Sequence, residues 1–143
     1  MIRWLDNNIE DVLMVVFNLQ KRPDQVFPKW EPAVRQEQRM GSGPIIGFVD
    51  LLATFPCPPE LEKYSDNNSR CTVLFEAKTE LESLGTLFRQ VRMYQEGHID
   101  RKDVSKMPFV IVCPDDSEAG LIRNQGLRFL KYEPNMKFNI GGV

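Results

Sequence analysis

The chain alternates short apolar runs with polar, turn-forming stretches, and the spacing of the apolar positions predicts an element for each. Ile9, Val12, Leu13, Val16 and Phe17 recur at helical spacing, which predicts a first helix from about Asp6 to Lys21, stopped by Pro23. Phe27 to Arg35 carries Pro28 and Pro32, so an edge strand or irregular extended segment is expected, with Trp30 and Val34 burying one face. A Gly-Ser-Gly turn at 41–43 reads as a hairpin connection. Pro44 to Phe55 is nearly all apolar, as in a strand buried on both faces. The polar stretch 57–70, CPPELEKYSDNNSR, is expected to be an exposed, mobile loop or, functionally, a flap.

Thr72 to Lys78 alternates β-branched and aromatic residues with others and reads as a strand. Thr79 with Glu82 forms a capping-box pattern for a helix whose stripe is Leu84, Leu87, Phe88, Val91 and Tyr94. Pro108 to Cys113 is a second all-apolar run, expected as a central strand. A short helix from Ser117 to about Asn124 precedes a last strand, Leu127 to Tyr132, and a loosely ordered tail. The order is α-β-β-β-α-β-α-β: an α/β domain with a mixed β-sheet flanked by helices on both faces.

Two strands carry charges where apolar residues would serve better. Asp50 interrupts an apolar run, and a carboxylate there costs free energy unless a metal ion or a lysine compensates it. Glu76 and Lys78, two apart on a strand, share one face with small Ala77 between them. Taken alone that pair also fits a solvated strand end with a surface ion pair.

Asp50 on one strand, Glu76-Ala77-Lys78 at the end of the next, and Gln90-Val-Arg-Met-Tyr94 on the following helix together resemble the PD-(D/E)xK nuclease superfamily, in its RecB-like branch with a Q-x-x-x-Y motif. The departure is Val49 where the motif name has proline. The resemblance covers about Gly43 to Tyr94 and implies a restriction-endonuclease-like core and a metal-dependent nuclease. In it Asp50, Glu76 and the Ala77 backbone carbonyl would hold Mg²⁺, with Mn²⁺ able to substitute, and Lys78 would act on the attacking water or the transition state. Gln90 and Tyr94, one helical turn apart, would contact the nucleic acid, with Arg89 and Arg92 beside them. Gln90 lies on the order of 16 Å along the helix from Thr79, so it reaches the site only if the helix packs back over the sheet. The superfamily's first helix often lends a further ligand. Glu10 is the position that matches, and a solvated boundary residue fits it equally well.

The 143 residues, 42% hydrophobic, suit one domain. The formal charge of −2 argues mildly against tight nonspecific binding to DNA, the expected partner, with RNA left open. Lys21, Arg22, Lys29, Arg35 and Arg39 nevertheless gather early in the chain. Cys57, Cys71 and Cys113 form no C-x-x-C and read as reduced thiols of a cytoplasmic protein, and they are too few for the four-thiolate iron–sulfur cluster of some RecB-like nucleases. No apolar run reaches membrane-spanning length, and the early acidic residues do not suit a secretory signal. His98, the single histidine, reads as a surface residue. A homo-oligomer would suit a cut of both strands of a duplex. The rival reading is a catalytically inactive nucleic-acid-binding or scaffolding protein that retains the fold.

Overall fold

Five strands form the main sheet of the computed structural model, which describes residues 1–36, 43–81, 83–136 and 138. β1 (Phe27–Trp30), β4 (Leu51–Pro56), β5 (Arg70–Ala77), β8 (Phe109–Cys113) and β9 (Arg128–Lys131) lie side by side in that order. β4 runs antiparallel to both of its neighbours, β1 and β5; β8 and β9 join β5 in parallel. A second sheet holds four short strands in the order β3 (Ile45–Phe48), β2 (Ala33–Arg35), β6 (His98–Ile99) and β7 (Lys102–Asp103). The mixed α/β class expected from the sequence is observed, and the second sheet is an addition to it.

The second sheet arises because one long antiparallel ribbon bends. Pro44 to Phe55 is not a single strand: β3 and β4 are separated at Val49 and Asp50, and the partner strand breaks opposite, between β1 and β2. Glu31 takes a left-handed φ of 50°, and Pro32 has no N–H to give a ladder. The Glu31 N–H donates to the Asp50 carbonyl at 3.0 Å and the Val49 N–H to the Pro32 carbonyl at 3.2 Å, so the ribbon stays joined through the bend. β3 is consequently not buried on both faces; Ile45 and Phe48 are exposed. The Gly41–Gly43 turn lies mostly outside the described residues, but the antiparallel pairing of β2 with β3 is that of a hairpin.

Helices cover both faces of the main sheet. The expected first helix is two, α1 (Ile2–Asn7) and α2 (Ile9–Phe17), broken at Asn8, whose side-chain amide donates to the Trp4 carbonyl at 2.8 Å. α2 stops at Asn18 in left-handed conformation, short of Lys21. Leu13 and Phe17 pack on Phe55, Val73 and Phe75 from this side. On the other face α3 (Leu84–Gln95) and α4 (Ala119–Asn124) pack Leu87, Val91, Tyr94 and Ile122 against Leu74, Phe109 and Ile111.

α3 begins five residues later than Thr79. The Lys78 N–H still pairs with the Val112 carbonyl at 2.8 Å, which commits the chain to extended backbone past Ala77, and the cap is Ser83, whose hydroxyl accepts the Thr86 N–H at 3.3 Å. Glu82 lies outside the described residues. The connection 57–70 is ordered rather than a free loop: 3-10 turns span Pro59–Tyr64, Leu61 is buried, and Asp66 accepts two backbone N–H groups and pairs with Lys102 at 2.9 Å. It sits at the Pro56–Arg70 end of the β4–β5 hairpin, away from Leu51 and Phe75, so it is no flap over Asp50. In the tail, Phe138 stacks on Trp4 at 5.8 Å, while the last five residues lie outside the described set.

Candidate functional site

The break between β3 and β4 puts Asp50 next to the C-terminal end of β5. Because Leu51 pairs with Phe75, Asp50 falls opposite Glu76, and both belong to the face that α3 covers. The two carboxylates are tied crosswise through backbone. The Asp50 N–H donates to Oε1 of Glu76 at 3.1 Å, and the Ala77 N–H donates to Oδ2 of Asp50 at 2.8 Å. Among the described residues, no protein donor is recorded for Oδ1 of Asp50, and the only cation near Oε2 of Glu76 is Lys78, at 3.4 Å. The Ala77 carbonyl points to the same side as its N–H, toward Asp50, beyond the last paired residues of β4.

A chain of side chains then leads from the carboxylates into α3. Lys78 Nζ donates to Oε1 of Gln90 at 3.1 Å. The Gln90 amide donates to the Tyr94 hydroxyl at 3.2 Å, and that hydroxyl donates to the Phe48 carbonyl at 3.2 Å. α3 therefore does pack back over the sheet, bringing Gln90 to Lys78 in spite of its distance along the helix. The Tyr94 ring is held on its other side by parallel stacking on Phe109, with centroids 6.4 Å apart.

Gly47 makes the approach of Tyr94 possible. A Cβ there would sit 2.8 Å from the Tyr94 ring, closer than real Cβ contacts occur. A glycine inside a strand is the sequence signal of such close approach, and Gly47 is a site residue that the motif spacing does not mark. The use of the Phe48 carbonyl could not be anticipated, because it depends on the bend.

Glu76 is 3% exposed, in a face otherwise apolar at its centre. Burial, and then the nearby Asp50 charge, push its carboxyl up to about 7, outweighing Lys78 and the Asp50 N–H, which act in the opposite sense. The Tyr94 hydroxyl is likewise pushed up, chiefly by burial, and stays a neutral donor. A buried carboxylate beside a half-buried one, with too little positive charge nearby, is the setting in which a hard divalent cation is stabilised. Asp50, Glu76 and the Ala77 carbonyl supply oxygen donors of the type Mg²⁺ takes. Only these two acidic side chains converge: among the described residues no group of three or more His, Cys, Asp and Glu side chains is arranged to hold a metal ion. A cleft of about 370 Å³, lined by Lys78, Thr79, Ser83, Thr86 and Gln90, opens beside Lys78.

The remaining expected site residues are elsewhere. Glu10 is on α2, over the opposite face of the sheet, where its carboxylate accepts from Arg22 at 2.8 Å; it is not a ligand of this cluster. Arg92 reaches the end of α4 instead, donating to Gln125 at 3.2 Å. Arg89 is exposed on α3 beside Gln90 and donates to Thr86 at 3.3 Å, on the rim of the cleft. His98 is no plain surface residue: its side chain is largely buried, Nε2 meets Asp103 at 2.5 Å and Nδ1 is buried with no partner among the described residues. None of the described helices is long and apolar enough to cross a membrane. In comparisons with known proteins, no family model, curated protein or solved structure matches this chain.

Proposed function

We propose that this chain is a metal-dependent deoxyribonuclease of the PD-(D/E)xK type, with a restriction-endonuclease-like core, hydrolysing phosphodiester bonds of DNA. The observation that supports it best is the convergence of Asp50, Glu76, Lys78 and Gln90 at the end of one buried strand. Asp50, Glu76 and the Ala77 carbonyl would hold Mg²⁺ or Mn²⁺. When bound, such an ion supplies a nucleophilic hydroxide at neutral pH and relieves charge on the transferring phosphate. Lys78, which is partly exposed and opens onto the cleft, presents its ammonium to the reacting phosphate or to the attacking water. Gln90 fixes the direction of that ammonium, and Tyr94 fixes Gln90 by anchoring it to the Phe48 carbonyl. Beyond Lys78 the cleft offers the hydroxyls of Thr79, Ser83 and Thr86 and the Gln90 amide to a sugar–phosphate chain, with one carboxylate, Glu80, also in its lining.

The test is cleavage of labelled single-stranded, duplex and branched DNA with Mg²⁺, Mn²⁺ or EDTA. Metal-dependent cutting is expected, reduced at least about a hundredfold in Asp50→Ala and in Lys78→Ala. Cutting that persists in both variants assigns the activity to another site or a contaminant.

One observation favours the second reading, a nucleic-acid-binding or scaffolding protein without activity: the metal-holding set has two carboxylates and Glu10 does not join it. That reading predicts no cutting by wild type and no rise in melting temperature with Mg²⁺.

A further inference from the structure

The free edge of the main sheet at β9 is built differently from the rest of the surface. β9 pairs only with β8, and the Tyr132 N–H donates to the Cys113 carbonyl of that neighbour at 2.9 Å. With a period of two, Leu130 and Arg128 also turn their backbone groups inward. Phe129 and Lys131 therefore direct N–H and C=O outward, and among the described residues no partner bonds them. A groove of about 610 Å³ runs along this edge, with Val15 and Val16 in its wall.

Among the described residues, four cations line the groove and no carboxylate does: Lys63, Arg123, Arg128 and Lys131. In a chain of net charge −2 that is a local excess. Three of the four rest against aromatic rings rather than acids. Arg128 lies 5.3 Å from the Phe17 centroid, Arg123 6.0 Å from Phe129 and Lys63 4.9 Å from Tyr64. Such contacts orient a cation without neutralising it. Among the described residues, Lys131 is the one of the four with carboxylate partners, Glu133 at 3.3 Å and Asp116 at 3.9 Å.

The cations also sit on both sides of the edge. Arg128 shares the α2 face with Phe17 and Leu130, whereas Arg123 and Lys131 lie on the α4 face with Phe129. An added strand presents alternate side chains to both faces, so acidic residues at neighbouring positions would each meet a cation. A nucleic-acid backbone laid on one face would meet only part of the set. A second copy of the chain, pairing edge to edge, would bring eight cations together, four from each groove.

The geometry points to this edge as a docking site for an extended acidic segment of a partner protein, which adds a strand beside β9 and places carboxylates on both rows of cations. The inference is independent of the nuclease reading.

The probe is a fluorescein-labelled octapeptide alternating glutamate and valine, titrated by anisotropy into the full chain at two salt concentrations. Its glutamine counterpart and a single-stranded oligonucleotide of equal charge serve as comparisons. The glutamate peptide is expected to bind, to protect the Phe129 and Lys131 amides from hydrogen exchange, and to bind about tenfold more weakly to Arg123→Glu/Arg128→Glu. Lys131→Pro removes an outward N–H without breaking the ladder to β8, so it is expected to weaken binding further than Lys131→Ala, which removes the same charge. Any of three results would overturn the proposal: no binding of the glutamate peptide, equal affinity in the charge-reversal variant, or no difference between Lys131→Pro and Lys131→Ala. Protection of the same amides by the oligonucleotide alone would assign the groove to nucleic acid instead.

Discussion

The two faces of the main sheet are made by the same strands and have opposite characters. On the α2 side, Phe55, Val73, Phe75 and Val110 are fully buried and pack in an apolar cluster with Leu13 and Phe17. On the α3 side the centre is as dry, with Leu74 and Ile111, but at the C-terminal end of β5 a carboxylate is buried almost as completely as those two residues. Phe75 and Glu76 are adjacent, so one residue of β5 separates a position optimised for packing from one that costs stability. A buried acid with its pKa raised costs stability in the apo protein, and such groups cluster at functional sites. The comparison teaches that burial on this sheet serves packing on one side and, at one corner of the other, holds a carboxylate at a cost in stability that the proposed chemistry would explain.

Substitutions that treat the two faces alike would break that contrast. Phe75→Ala, on the dry face, is expected to cost about 3–5 kcal/mol in denaturant unfolding, because it opens a cavity that close-packed neighbours cannot fill. A loss below about 1 kcal/mol would mean that this face is loosely packed.

Glu76→Gln sharpens the contrast from the other side, since it should abolish cleavage while raising stability at neutral pH. The Glu76 carboxyl titrates near 7 in the native state against an ordinary value of 4.5, so between those values the native protein keeps a proton that the unfolded chain has lost. Stability contributed by this group is therefore whole below pH 4.5, falls as pH rises through 7 and is level above it. The difference in unfolding free energy between wild type and Glu76→Gln should change over that window by on the order of 3 kcal/mol, and Mg²⁺ at pH 8 should raise the melting temperature of wild type only. Parallel pH profiles for the two proteins would refute the assignment of Glu76 as the buried, destabilised acid.

Gly47→Ala probes the link between the bend and the cluster. The added methyl would strike the Tyr94 ring, so Tyr94, Gln90 and Lys78 must shift in turn. About 1–3 kcal/mol of stability should be lost. The turnover rate should fall more than substrate affinity, which single-turnover and binding measurements distinguish. Unchanged turnover would show that Lys78 does not depend on the α3 anchor.

Much of this arrangement was legible along the chain. The alternation from Thr72 to Lys78 placed Glu76 and Lys78 on one face, and the apolar runs marked the segments of β4 and β8 as buried strands. The spacing of Gln90 and Tyr94 put both on one side of α3, and the hydrogen bond between them follows from it. Less was legible where local preference and tertiary demand diverged. Thr79 has the chemistry of a cap, yet the ladder to β8 holds the neighbouring Lys78 extended, and Ser83 caps instead. Glu10 borders an apolar stripe as a site residue would, but its helix packs on the other side of the sheet, and Arg22 takes its carboxylate.

Periodicity and residue chemistry by themselves determined the principal strands and helices of the main sheet, which side chains share a face, and that Asp50 is out of place in an apolar run. Those are properties of neighbours within a few residues, where strand and helix repeats act directly. Only the tertiary structure decided that the run from Pro44 to Phe55 bends into two sheets at Asp50, that Glu76 is sealed by α3, and that Gln90 meets Lys78. Each of these brings together residues far apart in sequence, and the positions depend on how sheets twist, bend and stack around a core, a balance of packing that no local pattern encodes.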